Sequence, residues 1–304
     1  MTGPLDADPA CGAGEAHWTY HASDTRAMTT TSSHPTAGAF HEWPLVVFTT
    51  LAILGAGLMA APLIAWLVSG TTAAALDCIR LGAPLLGAGL AVSTAHLGRP
   101  FRAPLSAAGF GRSRLSTEIV VAGTALALGI VEALLPQASP VLGLTTAAAA
   151  LALLVTLGLV YALPGQQTWR GAVVWMPLTS GLAFATVAFG ATSSGPLVAT
   201  GMAAAGILAA DAALLAARRM SLVRPEAPLA PRYPSVFARR DLVLLSRLAL
   251  VDILPAGCML AGLPAVAAGL LGLGILLDRI AFYGFASQHT TEAELLQVEQ
   301  IIAS

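Results

Sequence analysis

The stretch Ser93-Thr94-Ala95-His96-Leu97-Gly98-Arg99-Pro100-Phe101-Arg102, running on to Gly111-Arg112-Ser113-Arg114-Leu115-Ser116-Thr117-Glu118, holds the densest group of chemically capable side chains. His96 closes one apolar run, arginines follow it, and Glu118 opens the next run. A histidine with an ordinary pKa near 6.5 is a suitable proton acceptor at neutral pH. An arginine keeps its charge and stabilises a developing anion. A carboxylate at the edge of an apolar segment relays protons to water, and an ionisable group at that depth is a functional candidate. Together they suit an apolar ligand whose polar head gives up protons. A quinol fits, because its oxidation releases two protons and two electrons. A structural reading stands beside this one. Arg102 would pair with Glu118 to pin two helices, with Ser116 or Thr117 as the cap and the helix dipole favouring the acid.

Two smaller groups flank the chain. In His41-Glu42-Trp43-Pro44, Trp43 is an interface anchor and Pro44 suits the first turn of a helix. His41 and Glu42 are either headgroup-level residues or part of the site. In Asp278-Arg279-Ile280-Ala281-Phe282-Tyr283-Gly284, the adjacent Asp278 and Arg279 point about 100° apart on a helix, so each needs another partner. Tyr283 is a belt aromatic or a ligand contact. Asp77, Arg80, Asp211, Arg247 and Asp252 also lie in or near apolar runs, where structural pairing is expected. Arg247 and Asp252 are five apart and share a helix face only loosely.

Other chemistries are set aside by what is missing. No apolar run holds an interior histidine, which argues against a bis-histidine haem. There is no phosphate-binding loop and no serine elbow. The 3 cysteines, Cys11, Cys78 and Cys258, form no CxxC pair, so neither a metal cluster nor a disulfide framework is expected. A net charge of −1 gives no reason to expect nucleic acid.

The elements that must position these residues are membrane helices. Of 304 residues, 56% are hydrophobic and 10% charged, and mean hydropathy is +0.77. Soluble domains carry about 25% charged residues. Apolar runs at 45–68, 73–95, 117–135, 141–163, 172–192, 196–217, 242–260 and 264–284 are long enough to cross a bilayer. They are continuous rather than alternating, so they are helices. The expected fold is all-α, a polytopic bundle of about eight transmembrane helices. Residues 1–40 read as a disordered polar tail, 41–285 as the membrane domain and 286–304 as a short C-terminal tail. Met28 is an alternative start, which would make the first 27 residues an extension.

The connections alternate in character. Ser69–Thr72, Pro136–Pro140, Ser193–Gly195 and Ala261–Leu263 are short and hold no arginine. The others carry Arg99, Arg102, Arg112 and Arg114, then Arg170, then Arg218, Arg219, Arg224, Arg232, Arg239 and Arg240. Both termini fall on this arginine-rich side. The positive-inside rule places it in the cytoplasm.

The sequence resembles the membrane-anchor subunit of the dimethyl sulfoxide reductase type, the DmsC family. His41-Glu-Trp-Pro-Leu45, Ser93 through His96-Leu-Gly-Arg-Pro-Phe-Arg102, Leu115-Ser-Thr-Glu-Ile119 and Arg279-Ile-Ala-Phe-Tyr-Gly284 carry the likeness, which spans roughly 40–285. The resemblance implies an anchor for a molybdopterin catalytic subunit and an iron–sulfur subunit with four clusters. It implies menaquinol bound by the anchor, no haem, and electrons passing to a [4Fe–4S] cluster of the partner. It assigns His96 as the quinol-site histidine, Arg102 as its arginine and Glu118 as its acid, with Arg99 and Arg112 as second-line candidates. His41 and Tyr283 are the other expected quinol contacts. In one respect it disagrees with the arginine count, because known members carry their catalytic subunits outside the cytoplasmic membrane.

Two other classes are weighed against the quinol-oxidising anchor. A small-solute transporter would place paired charges along a path near the midplane, with inverted repeats or broken helices. A purely structural anchor would have no quinone site. His96 separates it from the first reading, since its replacement would leave quinol oxidation intact. The connection over 218–241 is the expected docking surface for partners.

Overall fold

Eight helices are long and apolar enough to cross a membrane in the computed structural model. The structure describes residues 43–96, 109–162, 171–192, 197–223 and 238–285. Among them there is no strand. Both tails, and the candidates His41, Arg99 and Arg102, lie outside the described residues.

The helices are α1 (Trp43–Ser69), α2 (Leu76–His96, entered by a 3-10 turn Ala73–Ala75), α3 (Arg114–Ala133) and α4 (Pro140–Val160). They continue with α5 (Met176–Thr192, entered by a 3-10 turn Gly171–Trp175) and α6 (Leu197–Val223). The seventh span, α7 (Arg240–Leu260), and α8 (Pro264–Gly284) complete the set. The odd helices end at the short connections. The even helices end at the opposite side, here called the loop face.

Local chemistry sets the helix starts. The Ser113 hydroxyl accepts the Ser116 amide at 3.4 Å, so Ser113 caps α3, not Ser116 or Thr117. Ser139 accepts the Leu142 amide in the same way, with Pro140 at the first helical position of α4.

α1 is the central post, packed against α2, α4, α5 and α8. Glycine makes the close approaches possible. A Cβ on Gly82 would come within 2.7 Å of the Gly55 carbonyl oxygen, and one on Gly55 within 2.8 Å of the Gly82 oxygen. Gly57 meets the Gly181 carbonyl similarly, tying α1 to α5. Lipid gives helices no hydrophobic reason to associate, so such backbone-to-backbone packing supplies much of the adhesion.

α7 is not a uniform helix. Pro255 has no N–H to offer the preceding turn, and its ring crowds the carbonyl four residues back. The chain widens into a π-helical segment over Leu248–Ile253, where the Leu254 amide reaches the Ala249 carbonyl.

Candidate functional site

The ends of α2, α4 and α8 and the start of α3 lie at the loop face, and the described candidate residues are carried there. His96 is the last residue of α2. Glu118 lies four residues into α3, about 6 Å along its axis from Arg114. Its side chain is turned into the bundle, 4% exposed, and its Oε1 has no hydrogen-bond partner. The proposed Arg102–Glu118 pair involves a residue outside the described ones.

Tyr283 is not a belt aromatic. It is buried, and its hydroxyl donates to the Tyr161 hydroxyl at 2.7 Å. Tyr161 follows directly on α4. Its ring makes edge-on contacts with Phe282 at 5.2 Å and Tyr283 at 5.8 Å between centroids. The Arg279 guanidinium sits 4.7 Å over the Phe282 ring. Burial, and next the Tyr283 phenol and the Glu118 carboxylate, push the Tyr161 phenol well above its ordinary pKa, while Arg279 works the other way. The phenol therefore keeps its proton at neutral pH. Tyr161 and Tyr283 thus form a hydrogen-bonded pair of phenols at the mouth of the bundle, on the face where Glu118 is also buried.

Arg114 fixes part of this group. Its guanidinium donates to the Leu159 carbonyl at 3.1 Å and the Ala162 carbonyl at 2.7 Å, oxygens on either side of Tyr161. These belong to the end of α4, where carbonyls lack helical partners. One arginine at the start of α3 therefore clasps the turn that presents Tyr161. Trp43, Phe110 and Trp175 are exposed at this face, as an interfacial aromatic belt requires.

A second polar group lies deeper, among α5 to α8. Asp278 accepts from Arg218 at 2.8 Å, faces Arg247 Nε at 3.3 Å and bonds its neighbour Arg279. Arg247 also meets Asp211 at 2.5 Å and Asp252 at 3.1 Å. Thr179 and Ser180 of α5 both donate to Asp211. All six ionic side chains are buried, and three arginines balance three aspartates. By helical rise the group runs from about 9 Å to about 18 Å in from the loop-face ends of α8 and α6.

Three expectations change here. Arg247 and Asp252 do share a face, because the π-turn between them sets residues five apart above one another. Asp278 and Arg279 do pair despite their angular offset, since the long arginine side chain folds back. Arg218 is not a loop residue. α6 continues to Val223, and Arg218 is 2% exposed within the bundle, so it reports pairing with Asp278 rather than topology.

Elsewhere the structural expectation stands. Arg80 pairs with Asp77 at 3.3 Å and donates to the Ala133 and Leu135 carbonyls at the end of α3. Cys78 is buried and Cys258 partly so, as packing residues. Tyr161 and the clasp by Arg114 were not singled out in the sequence. The only signal was position: Tyr161 follows an apolar run on the arginine-rich side.

Comparison with known proteins supplies the family. The family described as DMSO reductase anchor subunit (DmsC) matches residues 37–178, a stretch that includes His96, Glu118 and Tyr161. Over 278 residues the chain is 30% identical to the anaerobic dimethyl sulfoxide reductase chain YnfH of Escherichia coli (strain K12), covering 81% of this chain and 95% of that protein.

Proposed function

Since the chain belongs to the dimethyl sulfoxide reductase anchor-subunit family, we propose that it binds and oxidises menaquinol at the loop face and passes the electrons to an iron–sulfur partner. The observation that carries this reading is Glu118, a buried carboxyl with an orphan oxygen near the loop-face end of α3, the same face at which the Tyr161 and Tyr283 hydroxyls are hydrogen-bonded to each other. A buried acceptor without a partner costs free energy unless something fills the need. The hydroxyl of a quinol head would do so.

Menaquinol supplies a pair of hydroxyl protons and a pair of electrons at such a site. The protein's part is to take the protons and hold the head. Glu118 accepts a hydroxyl proton and relays it toward the loop face. His96, at the end of α2, is the other acceptor, and its ordinary pKa suits the task. Tyr161 and Tyr283 stay protonated and act as hydrogen-bond partners that orient the head. Arg102 stabilises the developing negative charge, with His41 as a further contact. A [4Fe–4S] cluster on a four-cluster partner docked on this face would take the electrons, and a molybdopterin subunit would complete the complex. No haem is needed. The setting is the cytoplasmic membrane of a prokaryote.

Membership of the anchor-subunit family favours this reading over a transporter. In the buried ionic group of α5 to α8, three cations and three anions neutralise one another through direct contacts, which leaves no net charge for a solute. The test uses the purified complex reduced with menadiol, following bleaching of the partner's clusters. His96→Ala and Glu118→Gln should each slow that bleaching by about 100-fold, the usual contribution of a positioned acid or base. Reduction by dithionite should be unaffected. Wild-type rates in both variants would sink the quinol site.

A further inference from the structure

At the face opposite the loops a recess of about 700 Å³ opens between α2, α5 and α8. Leu85 and Ala88 of α2, Phe184 and Ala188 of α5, and Ala265 and Ala268 of α8 line it. Alanine on all three helices leaves depth that larger side chains would fill. Leu81 and Ala88 are exposed, so the recess is open sideways to the lipid around the bundle. Its polar lining residues, Arg80 and Thr192, both sit at its outer end.

The dimensions are those of one half of a bilayer. Arg80 to Ala88 is about 12 Å along α2, and Thr192 back to Phe184 is about 12 Å along α5. Half of the hydrocarbon core is about 15 Å. The recess therefore begins at headgroup level and runs close to the midplane. Thr192 gives its hydroxyl to the Ala188 carbonyl at 3.1 Å, so it has no proton to donate inward. A space lined in this way stays dry and takes hydrocarbon.

The outer end carries charge in a definite order. Among the described residues, Arg80 donates through Nε to the Ala133 carbonyl at 3.3 Å, through one terminal nitrogen to the Leu135 carbonyl at 3.1 Å and through the other to Asp77 at 3.3 Å. A guanidinium has five N–H donors, so one remains on each terminal nitrogen, the fork that a phosphate takes. The α3 carbonyls hold that fork in place. The Arg80 and Asp77 side chains are 43% and 71% exposed, and a pair so exposed contributes little by itself. Both groups thus stay open to a headgroup. Asp77 lies three residues before Arg80, about 4.5 Å nearer the membrane surface. In an aminophospholipid the phosphate likewise lies nearer the chains and the ammonium further out. The recess and the pair above it match such a lipid in sign and in order.

We propose that this recess binds one zwitterionic aminophospholipid, with an acyl chain between α2, α5 and α8, the phosphate on Arg80 and the ammonium on Asp77. A quinol tail would fill the recess but leave both charges without a counterpart. The chain's own tails leave from the other face, where α1 begins and α8 ends. The connection over 193–196 is tied at both ends, and four residues so tied reach out about 7 Å at most, too little to line the recess. The lipid joins α2, from the first half of the bundle, to α5 and α8 of the second.

The test is native mass spectrometry of the purified, delipidated complex, mixed in detergent with equal amounts of phosphatidylethanolamine and phosphatidylglycerol bearing the same acyl chains. The wild type should retain one phosphatidylethanolamine per anchor chain. Arg80→Gln should weaken that retention about tenfold, the loss expected for charge-assisted hydrogen bonds. Ala88→Phe fills the recess without touching either charge, and should abolish retention while menadiol oxidation by the complex is unchanged. Asp77→Asn should bind both lipids alike, because the ammonium loses its partner. The last two variants keep the test decisive if Arg80→Gln does not assemble. Retention that survives Ala88→Phe overturns the proposal. So does a wild type that holds phosphatidylglycerol as well as phosphatidylethanolamine. A retained menaquinone mass lost in Ala88→Phe overturns it too, because the occupant would be a quinol tail. A doubled complex without lipid does the same, since a second copy would then cover the recess.

Discussion

Replacing Asp278 by Asn should destabilise the second half of the bundle more than any exposed charge change. Asn keeps the size of the side chain but removes the charge that three arginines face. At an effective dielectric of about 20, the 2.8 Å contact with Arg218 and the 3.3 Å contact with Arg247 correspond to attractions of about 6 and about 5 kcal/mol. Part of that offsets the cost of keeping the carboxylate out of water, a cost the variant no longer bears. What remains uncompensated is one buried positive charge, since Arg218, Arg247 and Arg279 would face only Asp211 and Asp252. Breaking buried pairs in this one-sided way costs about 3–5 kcal/mol. The assay is reversible unfolding of the purified chain in mixed micelles, read by tryptophan fluorescence. Asp241→Asn is the internal control, because its pair with Arg219 is about half exposed, with side chains at 52% and 59%. It should cost no more than about 1 kcal/mol. A double change of Arg218→Met with Asp278→Asn should recover about 1–3 kcal/mol, because the surplus charge goes with its partner. If Asp278→Asn costs no more than Asp241→Asn, the ionic group does not hold these helices together, and the argument from mutual neutralisation fails.

Arg114→Ala frees the Leu159 and Ala162 carbonyls and loosens the turn that carries Tyr161. Menadiol oxidation by the complex should show a KM raised about tenfold with kcat largely retained, and Arg114→Lys should restore only part of it. An equal fall in kcat at constant KM would refute a positioning role. Gly82→Leu places side-chain atoms where only 2.7 Å separates a Cβ from the Gly55 carbonyl. It should lower unfolding stability by about 1–3 kcal/mol in the same micelle assay, whereas Gly123→Leu, which has open space beside it, should not. A C-terminal pair of reporters, one active only in the cytoplasm and one only outside it, reads the loop face directly. The exposed Arg112, Arg114, Arg219 and Arg239 predict cytoplasmic activity. The opposite result would mean that these arginines serve docking or capping instead.

Hydropathy made the eight spans legible because a bilayer imposes length and continuity on any crossing helix. Most boundaries agree to within a few residues. The larger errors have specific causes. α3 starts at Arg114 rather than 117 because Ser113, a loop-like residue in the sequence, provides the cap. The apolar run of the sixth span stops at 217 because Arg218 and Arg219 look like a loop, whereas α6 runs to Val223. A buried aspartate on another helix, sixty positions away, neutralises Arg218 and lets the helix run on. At the candidate site, Glu118 was legible from its place at the mouth of a span. Tyr161 was not, since its value comes from Tyr283 and from an arginine more than forty positions earlier. The Arg247–Asp252 pair needed a π-turn that residue spacing alone does not reveal.

The ionic group of α5 to α8 also bears on how the chain is made. α6, α7 and α8 each carry at least two of its charges: Asp211 and Arg218, Arg247 and Asp252, Asp278 and Arg279. A lone charged residue at the centre of an inserting helix costs about 2.5–3.5 kcal/mol. None of these three helices can therefore be released into lipid on its own at little cost. Asp278 and Arg279 arrive last, since α8 is the final span. Until then Arg218 lacks its aspartate. The second half is thus obliged to leave the insertion machinery as a set, late in synthesis, while the glycine-packed α1 and α2 carry no such obligation and can pair as soon as both have emerged.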